Sequence, residues 1–128
     1  MNKKNPSIFI VDDEPLLSEM LTDYLMEQYA GFQIKSFPTG EACLLCLDEQ
    51  PDAVILDYYL NSKEKDAANG MDILKEIKKR NKALPVVMLS SQKSYGTAIK
   101  SIMYGAVYYV IKGQDAFDEI FQVIKANV

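Results

Sequence analysis

The chain of 128 residues contains no histidine and no tryptophan, and it has only two cysteines. The absence of histidine excludes every mechanism that needs an imidazole base, an imidazole nucleophile or a histidine-rich metal site. Long apolar runs are also missing, because none exceeds the length of Ala106 to Ile111, far short of the about 20 residues that span a bilayer. Any chemistry must therefore use carboxylates, hydroxyls, lysines or thiols, and we expect a cytoplasmic protein without membrane contact.

Basic residues are outnumbered, since 14 Lys and Arg stand against 18 Asp and Glu, which gives a formal net charge of −4. A nucleic-acid surface needs clustered Lys and Arg, so this balance argues against direct binding of nucleic acid. Neither G-x-G-x-x-G nor G-x-x-x-x-G-K-[ST] occurs in the chain. The glycine-rich loops that hold nucleotide phosphates are therefore absent from the sequence.

The two cysteines, Cys43 and Cys46, have the C-x-x-C spacing of redox and zinc sites. Zinc would need two further Cys or His ligands, which this chain does not contain. A thioredoxin-type pair opens a helix directly after a strand, whereas Thr39 and Gly40 already start the helix that includes both thiols. We therefore expect the two cysteines to be small apolar residues on a core face.

Apolar runs alternate with amphipathic stretches along the whole chain. The runs predict five strands, at Ser7–Val11, Phe32–Phe37, Ala53–Leu56, Pro85–Leu89 and Val107–Ile111. The stretches between them predict five helices. The first begins at Pro15, and its apolar face consists of Leu16, Leu17, Met20, Leu21, Tyr24 and Leu25. The second extends from Thr39 to about Leu47, the third begins near Gly70, the fourth extends from about Ser94 to Tyr104, and Asp115 caps the last.

Five strand–helix pairs with apolar strands indicate an α/β fold in which helices cover both faces of a parallel sheet. We predict a doubly wound five-stranded sheet in the order 2-1-3-4-5, which is a flavodoxin-like three-layer sandwich. No linker or repeat divides the chain, so we expect a single domain over 1–128 with no output domain. The polar stretch Asn61–Asn69 lacks periodicity and is expected to be a solvent-exposed loop.

Polar side chains follow four of the predicted strands. Asp12 and Asp13 end the first strand, Asp57 the third, Ser90 the fourth and Lys112 the fifth. Ligands of open α/β sheets bind beyond the carboxyl ends of the strands, where the strand order reverses, here between the first and third strands. The sequence therefore predicts that three carboxylates, a hydroxyl and an ammonium converge at one edge of the sheet.

Three carboxylates in one place repel one another and need a cation, and their hard oxygen atoms suit Mg²⁺. A lysine is the natural point-charge partner for a phosphoryl group, and a serine hydroxyl can donate to a phosphoryl oxygen. The set predicts phosphoryl chemistry in which an aspartate carboxylate is the nucleophile and becomes an acyl phosphate.

Four segments resemble the signature segments of a response-regulator receiver domain, and the similarity extends over essentially the whole chain. They are Ile8–Pro15, Val54–Asp57, Pro85–Ser91 and Gly105–Lys112. The resemblance implies a signalling module rather than an enzyme, which assists its own phosphorylation and dephosphorylation. It implies a phosphoryl donor that is a sensor histidine kinase or a histidine phosphotransfer protein, and a downstream effector or a fused output domain as the recipient of the signal.

The same resemblance assigns roles to individual residues. Asp57 matches the phospho-accepting aspartate, Asp12 and Asp13 the acidic pair that holds Mg²⁺, the backbone carbonyl of Tyr59 the third metal ligand, Lys112 the phosphate-contacting lysine, Ser90 the switch hydroxyl and Tyr109 the switch aromatic. By strand alternation, Tyr109 faces away from Tyr108 and Lys112. Phosphorylation would draw Ser90 inward and let the ring of Tyr109 turn inward. This would change the shape of the surface formed by the fourth helix, the fifth strand and the fifth helix. Homodimers could also form through that surface.

Three positions depart from the family pattern. Gly113 replaces the proline that usually follows the lysine, so this turn is expected to be trans or more mobile. The loop after Asp57 is longer than usual and lacks its common proline. Tyr59 is bulky and could obstruct the water that hydrolyses the acyl phosphate.

Two alternatives remain open at this point. A phosphorylation-independent interaction module would also use this fold. An aspartyl-phosphate hydrolase would carry its nucleophile in a D-x-D motif on the first strand, where this chain has adjacent Asp12 and Asp13.

Overall fold

The computed structural model describes residues 1–60, 68–91 and 93–128, so the loop prediction for Asn61–Asn69 falls largely outside the described residues. Five strands form one parallel sheet in the predicted order β2-β1-β3-β4-β5. They are β1 (Ser7–Val11), β2 (Gln33–Phe37), β3 (Ala53–Asp57), β4 (Val86–Ser90) and β5 (Tyr108–Ile111).

The described helices occupy the five predicted positions. They are α1 (Pro15–Gln28), α2 (Gly40–Leu45), α3 (Gly70–Arg80), α4 (Tyr95–Met103) and α5 (Ala116–Asn127). Three of them begin with a side-chain cap, in which Thr39, Asn69 and Ser94 accept a hydrogen bond from the backbone N–H three residues later.

Strand alternation divides the core between the two faces of the sheet. Phe9, Val54 and Leu56 point to the face that α2 and α3 cover. Ile8, Ile10 and Ile55 point to the face that α1 and α5 cover. The central strands β1, β3 and β4 are almost entirely buried, which explains why they read as continuous apolar runs.

Two local predictions were wrong. The second helix does not reach Leu47, because α2 ends at Leu45 and a 3₁₀ turn follows over Leu47–Glu49. Gln50 then has a φ of 58° and directly precedes Pro51, which disfavours a right-handed helical conformation at the residue before it. Asp115 occupies the N-cap position of α5, but its side chain accepts no cap hydrogen bond within the described chain. Its φ of −98° and ψ of 3° differ from the extended backbone that a capping side chain needs.

The cysteines pack as the prediction of apolar core residues requires, although only Cys43 lies inside α2 and Cys46 is its C-cap. Cys43 is fully buried in the core of the α2 and α3 face, and Cys46 packs against the edge of that core. Burial raises the pKa of the Cys43 thiol to about 12, so this sulfur is a poor nucleophile at neutral pH. Over the described residues, no helix combines the length and the apolar character that crossing a bilayer requires.

The apolar face of α1 is only partly covered. Leu21 and Leu25 are buried in the core, whereas Leu16 is 69 % exposed and Met20 also lies on the surface. Both residues belong to the apolar face predicted from helical spacing. Periodicity therefore located the face but not the extent of its burial.

Candidate metal centre

The predicted carboxylates meet at the carboxyl edge of the sheet. Asp12 and Asp13 directly follow β1, and Asp57 is the last residue of the neighbouring strand β3. One carboxylate oxygen from each residue lies within 4.8 Å of the others, and all three residues are buried. The sheet order brings them together because β1 and β3 are adjacent parallel strands that end at the same edge.

The turn between β1 and α1 fixes the position of Asp12. Its backbone N–H donates to the carbonyl of Phe37 at 3.1 Å, and its Oδ1 accepts from the N–H of Glu14 at 2.8 Å. Pro15 then begins α1 with a φ that suits a first helical turn. The pKa of Asp12 is raised, because its burial outweighs the hydrogen bond from Glu14 and the charge of Lys112.

Asp57 is the least accessible of the three carboxylates, with 2 % of its surface exposed. Lys112 Nζ lies 3.3 Å from its Oδ1, which is within ion-pair distance. Even so, Oδ1 is the one buried side-chain oxygen or nitrogen in the described part of the chain that has no hydrogen bond. Burial, followed by the charge of Asp12, raises the pKa of Asp57 to about 7, and Lys112 opposes that rise.

This donor set fits a magnesium ion. Three carboxylates with oxygen atoms within 4.8 Å of one another repel each other unless a cation lies between them, and Oδ1 of Asp57 is buried without a hydrogen bond. Zinc is a poor fit because the site offers neither histidine nor thiolate. The residues present can therefore hold Mg²⁺.

Lys112 reaches the site even though Gly113 follows it. The peptide bond between the two is trans, since the described residues contain no cis peptide. The backbone N–H of Lys112 donates to the carbonyl of Ser90 at 2.8 Å, which anchors the end of β5 on β4. The side chain is 26 % exposed, so its ammonium stands between the buried carboxylate and solvent.

The remaining predicted residues surround this centre. Ser90 ends β4 and is fully buried. Tyr109 is half-buried and packs against the core of the α2 and α3 face, whereas Tyr108 points the other way and is exposed, as strand alternation predicted. Tyr59 donates a backbone hydrogen bond to Asp57, and its exposed ring meets the ring of Tyr58 edge-on at 4.8 Å. The positions agree with the predicted set, and the roles stay predictions.

Sequence reasoning missed one residue of the site, Gly70. It is the first residue of α3 and packs against the backbone of Asp57 and Tyr58. The sign of this contact in the sequence is the glycine itself, because most other residues would form a more stable first helical turn.

Comparisons with known proteins agree with this architecture. The family model described as the response regulator receiver domain matches residues 8–125. The transcriptional regulatory protein MalR of Bacillus subtilis is 33 % identical over 83 % of this chain, and a putative NtrX-like response regulator of Rickettsia felis is 36 % identical over 82 % of it. The matched parts cover 43 % and 21 % of those two proteins, so the chain spans less than half of the length of either.

Solved structures extend the comparison. The response regulator TrrA of Thermotoga maritima, in complex with Mg²⁺–BeF, superposes with a TM-score of 0.81 at 29 % identity, over 96 % of this chain and 99 % of that one. The strand order, the acidic cluster and the family match over nearly the whole length lead to one conclusion. The chain belongs to the response regulator receiver domain family, whose members are signalling modules of two-component systems.

Proposed function

We propose that this chain accepts a phosphoryl group on the carboxylate of Asp57 and signals through the resulting change in its surface. One observation carries the proposal, the buried Oδ1 of Asp57 that lacks a hydrogen bond beside Asp12, Asp13 and Lys112. Lys112 at 3.3 Å supplies one positive charge beside three carboxylates, so the cluster still favours a further cation. A metal ion would supply that charge and would also bind a phosphoryl group.

The donor is a phosphohistidine on another protein, either a sensor histidine kinase or a histidine phosphotransfer protein. A carboxylate oxygen of Asp57 forms a bond to phosphorus, and the P–N bond to the imidazole breaks. The imidazole nitrogen keeps the electron pair and takes up a proton, and the product on Asp57 is an acyl phosphate. The 128 residues contain no histidine, which agrees with a donor in a separate molecule.

The other residues of the centre support this transfer. Asp12, Asp13, Asp57 and the backbone carbonyl of Tyr59 would hold Mg²⁺, which supplies neutralisation of the phosphoryl charge when bound. Lys112 lies at the solvent side of the carboxylate, where its ammonium pairs with a phosphoryl oxygen. Ser90, buried at the end of β4, donates its hydroxyl to another phosphoryl oxygen.

The signal then passes to the face formed by α4, β5 and α5. Tyr109 lines a groove of about 360 Å³ between α4 and β5, together with Tyr95, Ala98 and Ile111. Movement of Ser90 toward a phosphoryl group makes room for the ring of Tyr109 to turn inward, which reshapes this groove. The recipient is a downstream effector, a fused output domain or a second copy of the chain.

We further propose that the protein acts in the cytoplasm. Cys43 and Cys46 are both free thiols, which suits a reducing compartment and supports this location.

The central test is incubation with Mg²⁺ and acetyl phosphate, followed by intact mass measurement. Wild type should gain the mass of one phosphoryl group, and Asp57→Asn should gain none. Asp48→Asn, which removes an exposed carboxylate on the 3₁₀ turn, is the matched control and should react like wild type. No adduct on wild type would instead favour a phosphorylation-independent interaction module. The exposed apolar side chains of α4 support that alternative.

The switch is tested with the neighbouring tyrosines. Tyr109→Ala should be phosphorylated at the wild-type rate but should reduce the shift of the α4 amide signals that phosphorylation causes in NMR spectra. Tyr108→Ala, on the opposite face of β5, should leave that shift unchanged. Equal behaviour of the two variants would contradict a specific role for Tyr109.

A further inference from the structure

Gly70 lies directly against the backbone that carries the acceptor aspartate. Its N–H donates to the carbonyl of Tyr58 at 2.8 Å. A Cβ atom at position 70 would come within 2.3 Å of the Asp57 carbonyl oxygen and 2.7 Å of the Tyr58 Cα. Both are backbone atoms, so neither can turn away as the end of a side chain would. Only a glycine allows α3 to begin this close to the end of β3.

The opposite side of the same segment is also held. The N–H of Tyr58 donates to the carbonyl of Leu89 at 2.9 Å, and Asp57 is paired in register with Leu89. The end of β3 is therefore clamped between β4 and the first residue of α3. Helix α3 is itself anchored, because Ile73, Leu74 and other side chains of its inner face are buried. A displacement at position 70 is therefore transmitted to Asp57.

We propose that Gly70 is a positioning residue for phosphoryl transfer, which sets the place of the Asp57 carboxylate among Asp12 and Asp13 through a backbone contact. The inference rests on the proposed role of Asp57 as the acceptor. Gly70 touches neither the donor nor the metal ligands' oxygen atoms in this mechanism. It acts through geometry, and a misplacement of about 1 Å in a reacting group can lower a rate about 100-fold.

The test compares Gly70→Ala with Gly31→Ala. A Cβ at position 31 would meet the carbonyl oxygen of Lys4 at 2.5 Å, so this control makes a similar backbone clash in the turn between α1 and β2. For each folded variant, the maximal phosphorylation rate is measured with acetyl phosphate at saturating Mg²⁺, together with the donor concentration that gives half of that rate.

Gly70→Ala should lower the maximal rate about 10- to 100-fold, with little change in the donor concentration for half-maximal rate. Gly31→Ala should keep the maximal rate within about twofold of wild type, although it also loses stability. A wild-type rate for Gly70→Ala would overturn the proposal. So would an equal fall in both variants, because it would reflect general destabilisation.

A second pair of variants leaves the glycine in place and so keeps the proposal testable if Gly70→Ala does not fold. Asn69→Ala removes the side chain that accepts from the N–H of Asp72 at 3.0 Å, and loosens the first turn of α3. Thr39→Ala removes the equivalent cap of α2, which accepts from Ala42 at 3.1 Å. Asn69→Ala should lower the maximal rate a few-fold, and Thr39→Ala should not. Equal rates in the two variants would count against the proposal.

Failure of the proposed function gives a different pattern from failure of this inference. If wild type accepts no phosphoryl group, the proposed function is wrong. The positioning role of Gly70 is then tested by the affinity of the protein for Mg²⁺ alone. Gly70→Ala should weaken Mg²⁺ binding by at least about fivefold relative to Gly31→Ala, because the same displacement moves one of three carboxylate ligands. Equal Mg²⁺ affinities would refute the positioning role.

Discussion

Helices α3 and α4 lie on the same side of the sheet, but α3 buries its apolar side chains and α4 exposes them. Helix α3 buries Gly70, Met71, Ile73, Leu74 and Ile77, and exposes Lys75 and Lys79 to solvent. Helix α4 buries only Ser101 among its residues, which are all described. Its apolar side chains point outward, with Tyr95 91 % and Met103 77 % exposed and Ile99 and Ile102 also on the surface.

The difference separates two tasks. Helix α3 is fixed in the core, and its first residue contacts the backbone of Asp57. Helix α4 rests on small side chains, and the hydroxyl of Ser101 bonds the carbonyl of Thr97 within the same helix at 2.9 Å. Since apolar burial is the main source of packing energy, α4 is held less firmly than α3. The proposed function would use this difference, with a firmly packed helix beside Asp57 and a weakly packed helix next to it.

The largest expected effect concerns the acceptor beside α3. Burial raises the pKa of Asp57 to about 7, whereas the ordinary value for an aspartate is 3.8. Between these values the unfolded chain has lost a proton that the metal-free folded protein retains. The contribution of this carboxyl to stability is therefore full below its unfolded pKa and is lost as the pH rises through about 7, by at most about 4 kcal/mol at about 1.4 kcal/mol per pKa unit.

Urea unfolding in a chelating buffer at pH 5, 6, 7 and 8 measures this loss. Asp57→Asn should flatten the profile and should be more stable than wild type at pH 8. The absence of histidine keeps this range free of other ordinary side-chain titrations. An unchanged slope in Asp57→Asn would show that another titrating group is responsible. That group would not lie in α4, because α4 contains no Asp or Glu.

An effect of similar size concerns the buried face of α3. Leu74 is fully buried, so Leu74→Ala should reduce the free energy of unfolding by about 2–5 kcal/mol through lost burial and a new cavity. Leu45→Ala, which changes a highly exposed leucine of α2, should change it by less than about 0.5 kcal/mol. Similar losses in the two variants, measured by urea unfolding, would contradict the burial difference.

A smaller effect concerns the contact between the two helices. The ammonium of Lys75 in α3 lies 4.3 Å from the centre of the Tyr104 ring, which follows the last turn of α4. Lys75→Gln should cost about 0.5–1 kcal/mol, the usual range for an exposed cation–π pair. Lys79→Gln is the control on the same helix. A double-mutant cycle with Tyr104→Leu isolates the pair, and a coupling energy near zero would mean that α4 is held by other contacts.

The smallest effect is expected on the outer face of α4. The pair of changes Ile99→Ser and Met103→Ser should alter the free energy of unfolding by less than about 0.5 kcal/mol, since both side chains are already exposed. The same variant should weaken self-association or effector binding, measured by sedimentation or titration. A loss of more than about 1 kcal/mol in stability would show that this face is covered in the free chain.

The fold followed from the sequence wherever burial was complete. Strands β1, β3 and β4 are buried on both faces, so their composition alone located them, and β3 proved to extend to Asp57 itself. The end of α2 was missed because the apolar run from Ala42 to Leu47 continues past Leu45, whereas the backbone there changes to a 3₁₀ turn. The exposure of Leu16 and of the α4 side chains was also missed, because periodicity defines an apolar face without saying what covers it.

The candidate site was predicted residue by residue for a related reason. Parallel strands end at a common edge, so strand order was enough to place Asp12, Asp57 and Lys112 together. The contact of Gly70 was beyond this reasoning, because it depends on the close approach of one helix to one strand end. The glycine itself was the only sign in the sequence, and it does not say which backbone the helix approaches.

The fastening of α4 at one end defines how far it can swing. Its last turn is held by the cation–π contact with Lys75, and Gly105, with a φ of 108°, sits against the aliphatic stem of Lys78. A nine-residue helix is about 13 Å long at about 1.5 Å per residue. If α4 tilts by about 10° about Tyr104, a helix of this length displaces Tyr95 by about 2 Å. The end of α4 that can move furthest is therefore the end that follows Ser90 in the chain.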